Sequence, residues 1–449
     1  MEISRASAEL LEQHVRELTV GIGVRLAGSP GERAAAAYLA ARGGELPGAR
    51  VTRETFPVWE RAVESESLEV EIGGRWQPFA CSLFGLAPST GGRAVEAPLR
   101  FFDAATGYQR RDLAYLKGAA VVHLGCHIES PDDYRRLMAA EPAFLLFVDT
   151  RYPGAVALAD GLFPAYVHAY GARTTVNVAF QDAWRWDRER ATRARLRVAG
   201  ERRRSRSQNV VIEIPGRDPG AGAIYVGGHH DTQAGTVGAD DNAIGAASVL
   251  ELARMLAPLN LGPTFRLISF GAEEQLSAGS AAYVRRHRDT LARDGRFMFN
   301  IDGSASALGW LAVTFNGAPA QEALLRDVFA KHDLPFALNR NLCPYTDQFP
   351  FMAAGVPGLW IFRMNCASGV FYHHRHDDTL ANLDLARAAR QLDAAADFLA
   401  RLAGSGDAVL KAQAGDDKRE AAARMWEALY GGWKGFGEGK RAAGRADAV

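Results

Sequence analysis

The sequence predicts an α/β protein with helices on both faces of its sheet, interrupted by a β-rich module. From residue 223 onward, strand-like apolar runs alternate with helical patterns, the rhythm of βαβ units. Between about residues 62 and 204 the texture changes to the short runs SLEVEI, GAAVVHL, AFLLFVD and TTVNVAF, separated by Gly, Pro and polar turns. With 449 residues the chain also exceeds the size at which one hydrophobic core stops growing, so a large domain plus a second module is expected.

Taken in order, apolar positions at helical spacing predict a helix over 8–18, and after the Gly-rich turn GIGVRLAGSPGER a second over 34–41. VTRETFPVW reads as a strand. The module closes on WRWDRERATRARLRVAGERRRSRS, with ten arginines in 185–206 against three acids. Without an aromatic stacking platform or recognition motif, this reads as a solvated edge and linker rather than a nucleic-acid arm. Then follow strands at 223–228 (AIYVGG), 265–270 (FRLISF), 297–301 (FMFNI) and 358–362 (GLWIF), with helices over 243–255, 321–332 and 385–402. The tail from 404 is rich in Ala, Gly and charge; REAAARMWEALY fits an amphipathic helix and the extreme end fits disorder.

Composition narrows the function. Hydrophobic residues make up 48% and charged residues 23%, ordinary for a globular chain, and 52 basic side chains balance 52 acidic ones. No net field therefore draws nucleic acid or an anionic membrane as the main partner. The four cysteines, Cys81, Cys126, Cys343 and Cys366, lie too far apart for a structural zinc site or disulfide framework and read as buried free thiols. Glu2, Arg5 and Glu9 interrupt any signal-peptide core, and no stretch reaches the ~20 apolar residues of a membrane span, so the expected location is cytoplasmic, a removed leader aside.

In an open α/β sheet ligands bind beyond the carboxyl ends of the strands. There stand His229-His230-Asp231, Glu273-Glu274, Asp302 and, further on, Tyr372-His373-His374-Arg375-His376-Asp377-Asp378; Asp240-Asp241-Asn242 lies just before a helix. Each cluster has an ordinary reading: N-capping for Asp241 and Asn242, a helix start for the glutamates, a turn for Asp302, surface positions for the histidines. Their joint placement does not, since five of the eleven histidines fall in two such stretches. Imidazole and carboxylate without thiolate suit zinc, manganese or cobalt, and the surplus of carboxylates suggests two ions sharing a bridge.

The segments GGHHDT, GADDNAIGAASVLELAR, FGAEEQLSAGS, NIDG, YTDQFPFMAAGVP and YHHRHDDTLANLD, in this order, resemble the co-catalytic dizinc exopeptidases of metallopeptidase family 28. GIGVRLAGSPGERAAAAYLA resembles that family's N-terminal helix segment and SQNVVIEIPG its lead-in strand. The resemblance implies a zinc-exopeptidase-like three-layer α/β/α sandwich with a mixed, mostly parallel sheet. Residues 1–62 and 205–404 would form the catalytic domain, 63–204 an inserted protease-associated domain and 405–449 a tail. Position by position it implies His229 and Asp302 as ligands of one metal, Glu274 and His374 of the second, and Asp241 as the bridge. Asp231 would orient His229, and Glu273 would be the general base. His374 is preferred over His373 because it stands four residues before Asp378-Thr379, the family's HxxxDT spacing. The Asp240–Asp241 peptide is the one expected in cis.

The resemblance further implies two divalent ions per chain, zinc expected with cobalt or manganese as alternatives, a peptide substrate and a homodimer as the assembly to test. Asp347, Tyr345, Arg363 and Tyr372 are candidate pocket residues, with Phe349, Phe351, Trp360 and Phe371 weighed between pocket and core. Small residues follow Asp302, and Gln348 stands where TDQ replaces the commoner SDH. An aminopeptidase is the leading reading. A carboxypeptidase or dipeptidase is the alternative, then a one-zinc glutaminyl-cyclase type, which retention of His229 and of the Asp241/Asp302 pair opposes, then a silent receptor-like binding protein, which the complete ligand set opposes.

Overall fold

The computed structural model describes residues 3–366 and 371–436; the extreme tail, where disorder is expected, lies outside the described residues. The chain divides into two compact units, residues 1–60 with 204–425, and residues 61–203 with the chain from 426. No helix among the described residues is long and apolar enough to cross a membrane.

The first unit holds a mixed, mostly parallel sheet. Its strands lie in the order Ala337–Asn339, Trp310–Asn316, Gly358–Met364, Gly295–Ile301, Ala223–His229, Thr264–Phe270 and the end of Arg193–Ile214. The four strands from Gly358–Met364 to Thr264–Phe270 are mutually parallel, with Ile301 opposite Ile361 and Phe270 opposite His229. Antiparallel neighbours, Trp310–Asn316 and residues 210–214, flank them.

Every residue of Ala223–His229 is buried, as expected of a parallel strand covered on both faces. Alternation divides its side chains between two cores. Ile224 and Val226 join Leu267 and Phe299 in the core shared with the helices Ala8–Arg16, Ile244–Leu256 and Leu385–Ala403. Tyr225 and Phe270 turn to the opposite face, where their rings meet Phe351 and Tyr283. Phe351 is thus core, the ordinary reading of an aromatic in such a run.

Local signals set the helix starts. Ser7 accepts from the Leu10 amide, Ser29 precedes a first-turn proline and accepts from the Glu32 amide, and Asp384 accepts from the Arg387 amide. The predicted elements of this unit are present. Sequence reading missed the strand Trp310–Asn316, although Gly309 and Gly317 bound it, and the short helix Gln348–Ala353, which is too brief to show a helical period.

In the second unit four strands, Val95–Asp103, Ala120–Gly125, Phe144–Asp149 and Thr175–Val178, lie parallel and in chain order. Cys81–Leu83 pairs antiparallel at one end and residues 193–196 at the other. The helices Pro131–Ala139, Pro164–Tyr170 and Phe180–Arg188 accompany them. The arginine-rich stretch is not a linker: residues 193–214 form a strand. Its R-A-R-L-R-V alternation buries Ala194, Leu196 and Val198, while Arg195 pairs with Glu69 and Glu96 and lies 4.2 Å over the Trp76 ring. Charge density masked the period of two. The four cysteines are free, and half-buried rather than buried.

One close approach in the first unit delivers the metal-site residues. The helix Ile244–Leu256 enters against the ends of two central strands, where a Cβ on Gly245 would lie 2.3 Å from Asn242 Oδ1 and 2.4 Å from the Ile301 carbonyl oxygen. Gly245→Ala should therefore lower stability by about 1–3 kcal/mol, the range for overpacking. Gly44→Ala, on an open helix surface, should leave it unchanged or raise it by about 0.5 kcal/mol. Urea denaturation of the two variants distinguishes these outcomes.

Candidate metal centre

Strand ends and loops of the first unit bring the predicted residues to one rim. His229 is the last residue of its strand and Asp302 directly follows another. Asp302 is held at both backbone ends: its amide donates to the Ile361 carbonyl and its own carbonyl accepts from Trp360 Nε1. Trp360, weighed above as a pocket wall, is thereby a support for this loop.

The Glu273-Glu274 loop turns tightly after Thr264–Phe270. Ala272, Leu276 and Ser277 occupy the left-handed region at φ of 53°, 60° and 45°, costly for residues with a Cβ and sustained only by surrounding bonds. Those bonds are present: the Asp231 carboxylate accepts from the Glu273 amide at 2.9 Å and the Glu274 amide at 3.2 Å, and Glu32 accepts from the Ala272 amide at 3.0 Å. Asp231 also approaches His229, Oδ1 to Nδ1 3.5 Å, so it serves both the imidazole and the loop.

Asp241 sits in the turn before the helix Ile244–Leu256. The Asp378 carboxylate accepts from the Asp240 and Asp241 amides at 2.8 and 3.0 Å. The cis peptide lies at Asp241–Asn242, one residue after the expected Asp240–Asp241. It follows the residue with the shared carboxylate, whose own amide is committed to Asp378.

The side chains then arrange as two half-sites around Asp241. His229 Nε2 lies 3.1 Å from Asp241 Oδ1 and 3.5 Å from Asp302 Oδ1. On the other side His374 Nε2 lies 3.4 Å from Asp241 Oδ2 and 3.0 Å from Glu274 Oε2. His373 stacks on His374 with ring centroids 3.5 Å apart, and with it and Asp241 offers a second set of donors. His374 contacts both carboxylates. Glu273 Oε2 stands 4.0 Å from His229 Nε2, and its Oε1 accepts from the Ser277 hydroxyl at 2.9 Å.

The electrostatics are those of a site short of positive charge. Burial pushes the Glu274 and Asp378 carboxyls each up to about 7 and Asp347 likewise to about 7. Burial, with Asp347, Asp302 and Glu274 nearby, raises Glu273 well above the usual carboxylate range. For His229 burial alone would depress the imidazole, but Asp302, Asp231 and Asp241 hold it raised. Glu274 Oε1 is buried without a hydrogen-bond partner. Oxygen and nitrogen donors in two groups, a carboxylate with one oxygen for each, and an unsatisfied buried acceptor fit a pair of divalent ions.

The pocket candidates divide. Asp347 is fully buried close enough to Glu273 to raise it. Tyr345 and Tyr372 are half-buried in the segments flanking the site. Arg363 does not serve as a carboxylate anchor: it is 4% exposed and its guanidinium donates to the Ser306 and Gly309 carbonyls. Sequence reading missed Arg25, Glu32 and the hydrogen-bonding part of Asp378. All three are charged residues that default to the surface, and only the segment GIGVRLAGSPGER marked the first two.

Residues 209–399 match the model of Peptidase family M28. Over 182 residues the chain is 29% identical to carboxypeptidase Q of Rattus norvegicus, covering 40% of this chain and 38% of that protein's length. Among solved structures it resembles a peptidase M28 precursor from Shewanella amazonensis SB2B at TM-score 0.75 and 20% identity, covering 91% of this chain and 96% of that one. It also resembles BSAP, a zinc aminopeptidase from Bacillus subtilis, at TM-score 0.71 and 20% identity over 89% and 96% of the two chains. Those likenesses establish the fold, and the stretch that matches the Peptidase family M28 model, residues 209–399, contains the metal-site residues from His229 to Asp378.

Proposed function

We propose that this protein is a two-metal exopeptidase that removes N-terminal residues from peptides. The observation that carries the reading is the placement of Asp241, one carboxylate oxygen toward His229 and Asp302 and the other toward His374 and Glu274. His229, Asp302 and Asp241 would hold one ion, and Asp241, Glu274 and His374 the other. When bound, two such ions acidify a water and polarise a carbonyl.

The remaining work falls to the chain's own groups. Glu273, kept basic by burial and aimed by the Ser277 hydroxyl, takes the proton of the attacking water at Oε2 and returns it to the departing amine. Asp231 holds both the His229 imidazole and the Glu273 and Glu274 amides, so ligand and base keep a common frame. The preference for a free amino terminus rests on charge. The rim carries eight carboxyl groups, Asp231, Asp240, Asp241, Glu273, Glu274, Asp302, Asp347 and Asp378, against the four positive charges that two divalent ions would bring, while Arg25 and Arg363 spend their guanidinium groups on backbone carbonyls. Such a field favours an ammonium over a carboxylate. The zinc aminopeptidase neighbour supports the same choice, and the carboxypeptidase Q relative makes substrate polarity the point to test.

Glu273→Gln should retain about two zinc ions per chain and lose about 10²–10⁴-fold in kcat on aminoacyl anilides. Metal analysis beside a panel of free-amine, N-blocked and free-carboxylate substrates reads this out. Cleavage confined to N-blocked peptides with free carboxylates would move the assignment to a carboxypeptidase.

Protons and metal should compete. Glu274, Asp347 and Asp378 are raised in the folded chain, so without metal the folded state binds more protons than the unfolded one between about pH 4.5 and 7. Stability of chelator-treated protein should therefore fall as pH rises through that window. The stabilisation added by zinc should grow over the same range, since ligation requires deprotonated carboxylates. Melting curves at pH 5 and 7.5, with chelator and with zinc, check both signs.

A further inference from the structure

Arg25 belongs to a motif that the proposed reaction leaves without a task. Its side chain is 0% exposed, and every polar atom of the guanidinium meets a backbone carbonyl rather than a carboxylate. Nε donates to His230 at 2.6 Å, Nη1 to Leu18, Gly23 and Val237 at 2.9, 2.9 and 2.8 Å, and Nη2 to Gly238 at 3.2 Å. Its backbone completes the clamp: the amide donates to Thr232 Oγ1 at 3.0 Å and the carbonyl accepts from the Thr232 amide at 3.2 Å. Of the residues it grips, His230 adjoins the ligand His229, and Val237 and Gly238 lead into the turn that carries Asp241.

The charge of Arg25 faces the same place. Asp231, Asp378, Asp241 and Glu274 are the carboxylates that act on it across the loop. A buried cation held only by neutral carbonyls has its compensating charge there. Five donors in a planar fork suit this cage; an ammonium at the end of a lysine could satisfy at most three acceptors and could not span it.

We infer that Arg25 is a positioning residue for the two-metal centre: it fixes the loop between His229 and Asp241 and so sets the distance at which the shared carboxylate serves both half-sites. The inference rests on the two-metal reading. Arg25→Lys keeps the charge and loses the fork. Removing such outer support typically costs about 10–100-fold in metal affinity. Zinc titration of metal-free protein against a chromophoric chelator should show that loss in at least one of two sites. Steady-state kinetics should show kcat reduced about tenfold or more with KM changed by less than about threefold.

Two companions keep the test decisive. Thr232→Val preserves volume but removes the acceptor for the Arg25 amide, and should weaken zinc in the same direction by less. Leu399→Ala, in the core of the helix Leu385–Ala403, should lower the melting temperature without changing zinc affinity. Wild-type zinc affinity and kcat in Arg25→Lys, or in Thr232→Val should the first variant not fold, overturn the inference. Equal zinc loss in Leu399→Ala also overturns it, because the effect would then be general destabilisation. If the wild-type chain binds no zinc, the two-metal reading itself fails, a result separable from two tightly bound ions indifferent to residue 25.

Discussion

Like charges confined in a desolvated space repel, and eight carboxylates share one rim of this molecule. At about 4 Å and an effective dielectric near 20, each close ionised pair costs about 4 kcal/mol. The chain answers with backbone amides directed at Asp231 and Asp378, with raised affinities for protons, and with a donor set that suits divalent cations. Asp240 is held by the Ala305 amide, and burial and Asp378 raise it well above the usual carboxylate range.

The same carboxylate that steadies the imidazole steadies the base, which gives the two adjacent glutamates separate tasks. Asp231 holds both amides, the left-handed residues on either side turn the loop, and the side chains diverge, Glu274 to His374 and Glu273 to the Ser277 hydroxyl. Neighbours on a regular strand would face opposite sides of the sheet; neighbours at a regular helix start would stand about 100° apart. The tight loop reaches a third arrangement, in which both carboxylates border one space while their oxygens meet different partners. Its backbone cost is met by hydrogen bonds from outside the loop, Glu32 among them.

Glu32 and Arg25 extend this support into the N-terminal segment. Glu32, pushed up to about 8 chiefly by burial, accepts from the Gly28 and Ala272 amides and from the Ser207 hydroxyl. Arg25 ties the loop after His229. Two loops bearing metal-site residues are thus gripped by one stretch of eight residues far from them in sequence. Buried polar groups so fully satisfied specify a single arrangement more than they add net stability.

Much of this was legible in the amino-acid order. Periodicity located the central strands, and the rule that ligands gather beyond their carboxyl ends marked His229, Glu273, Glu274 and Asp302, because strand direction and polar termination are local properties. The arginine-rich strand escaped because charge hid its alternation; Trp310–Asn316 was legible in its apolar run between Gly309 and Gly317 and was overlooked. Tertiary structure alone decided the rest: which oxygen of Asp241 faces which histidine, that Arg363 serves backbone carbonyls, that the cis bond follows Asp241, and that Arg25 and Glu32 are interior. The physical reason is that composition and spacing assign a residue its chemistry, whereas burial and partners depend on chain segments that meet only when the sheet closes over its helices.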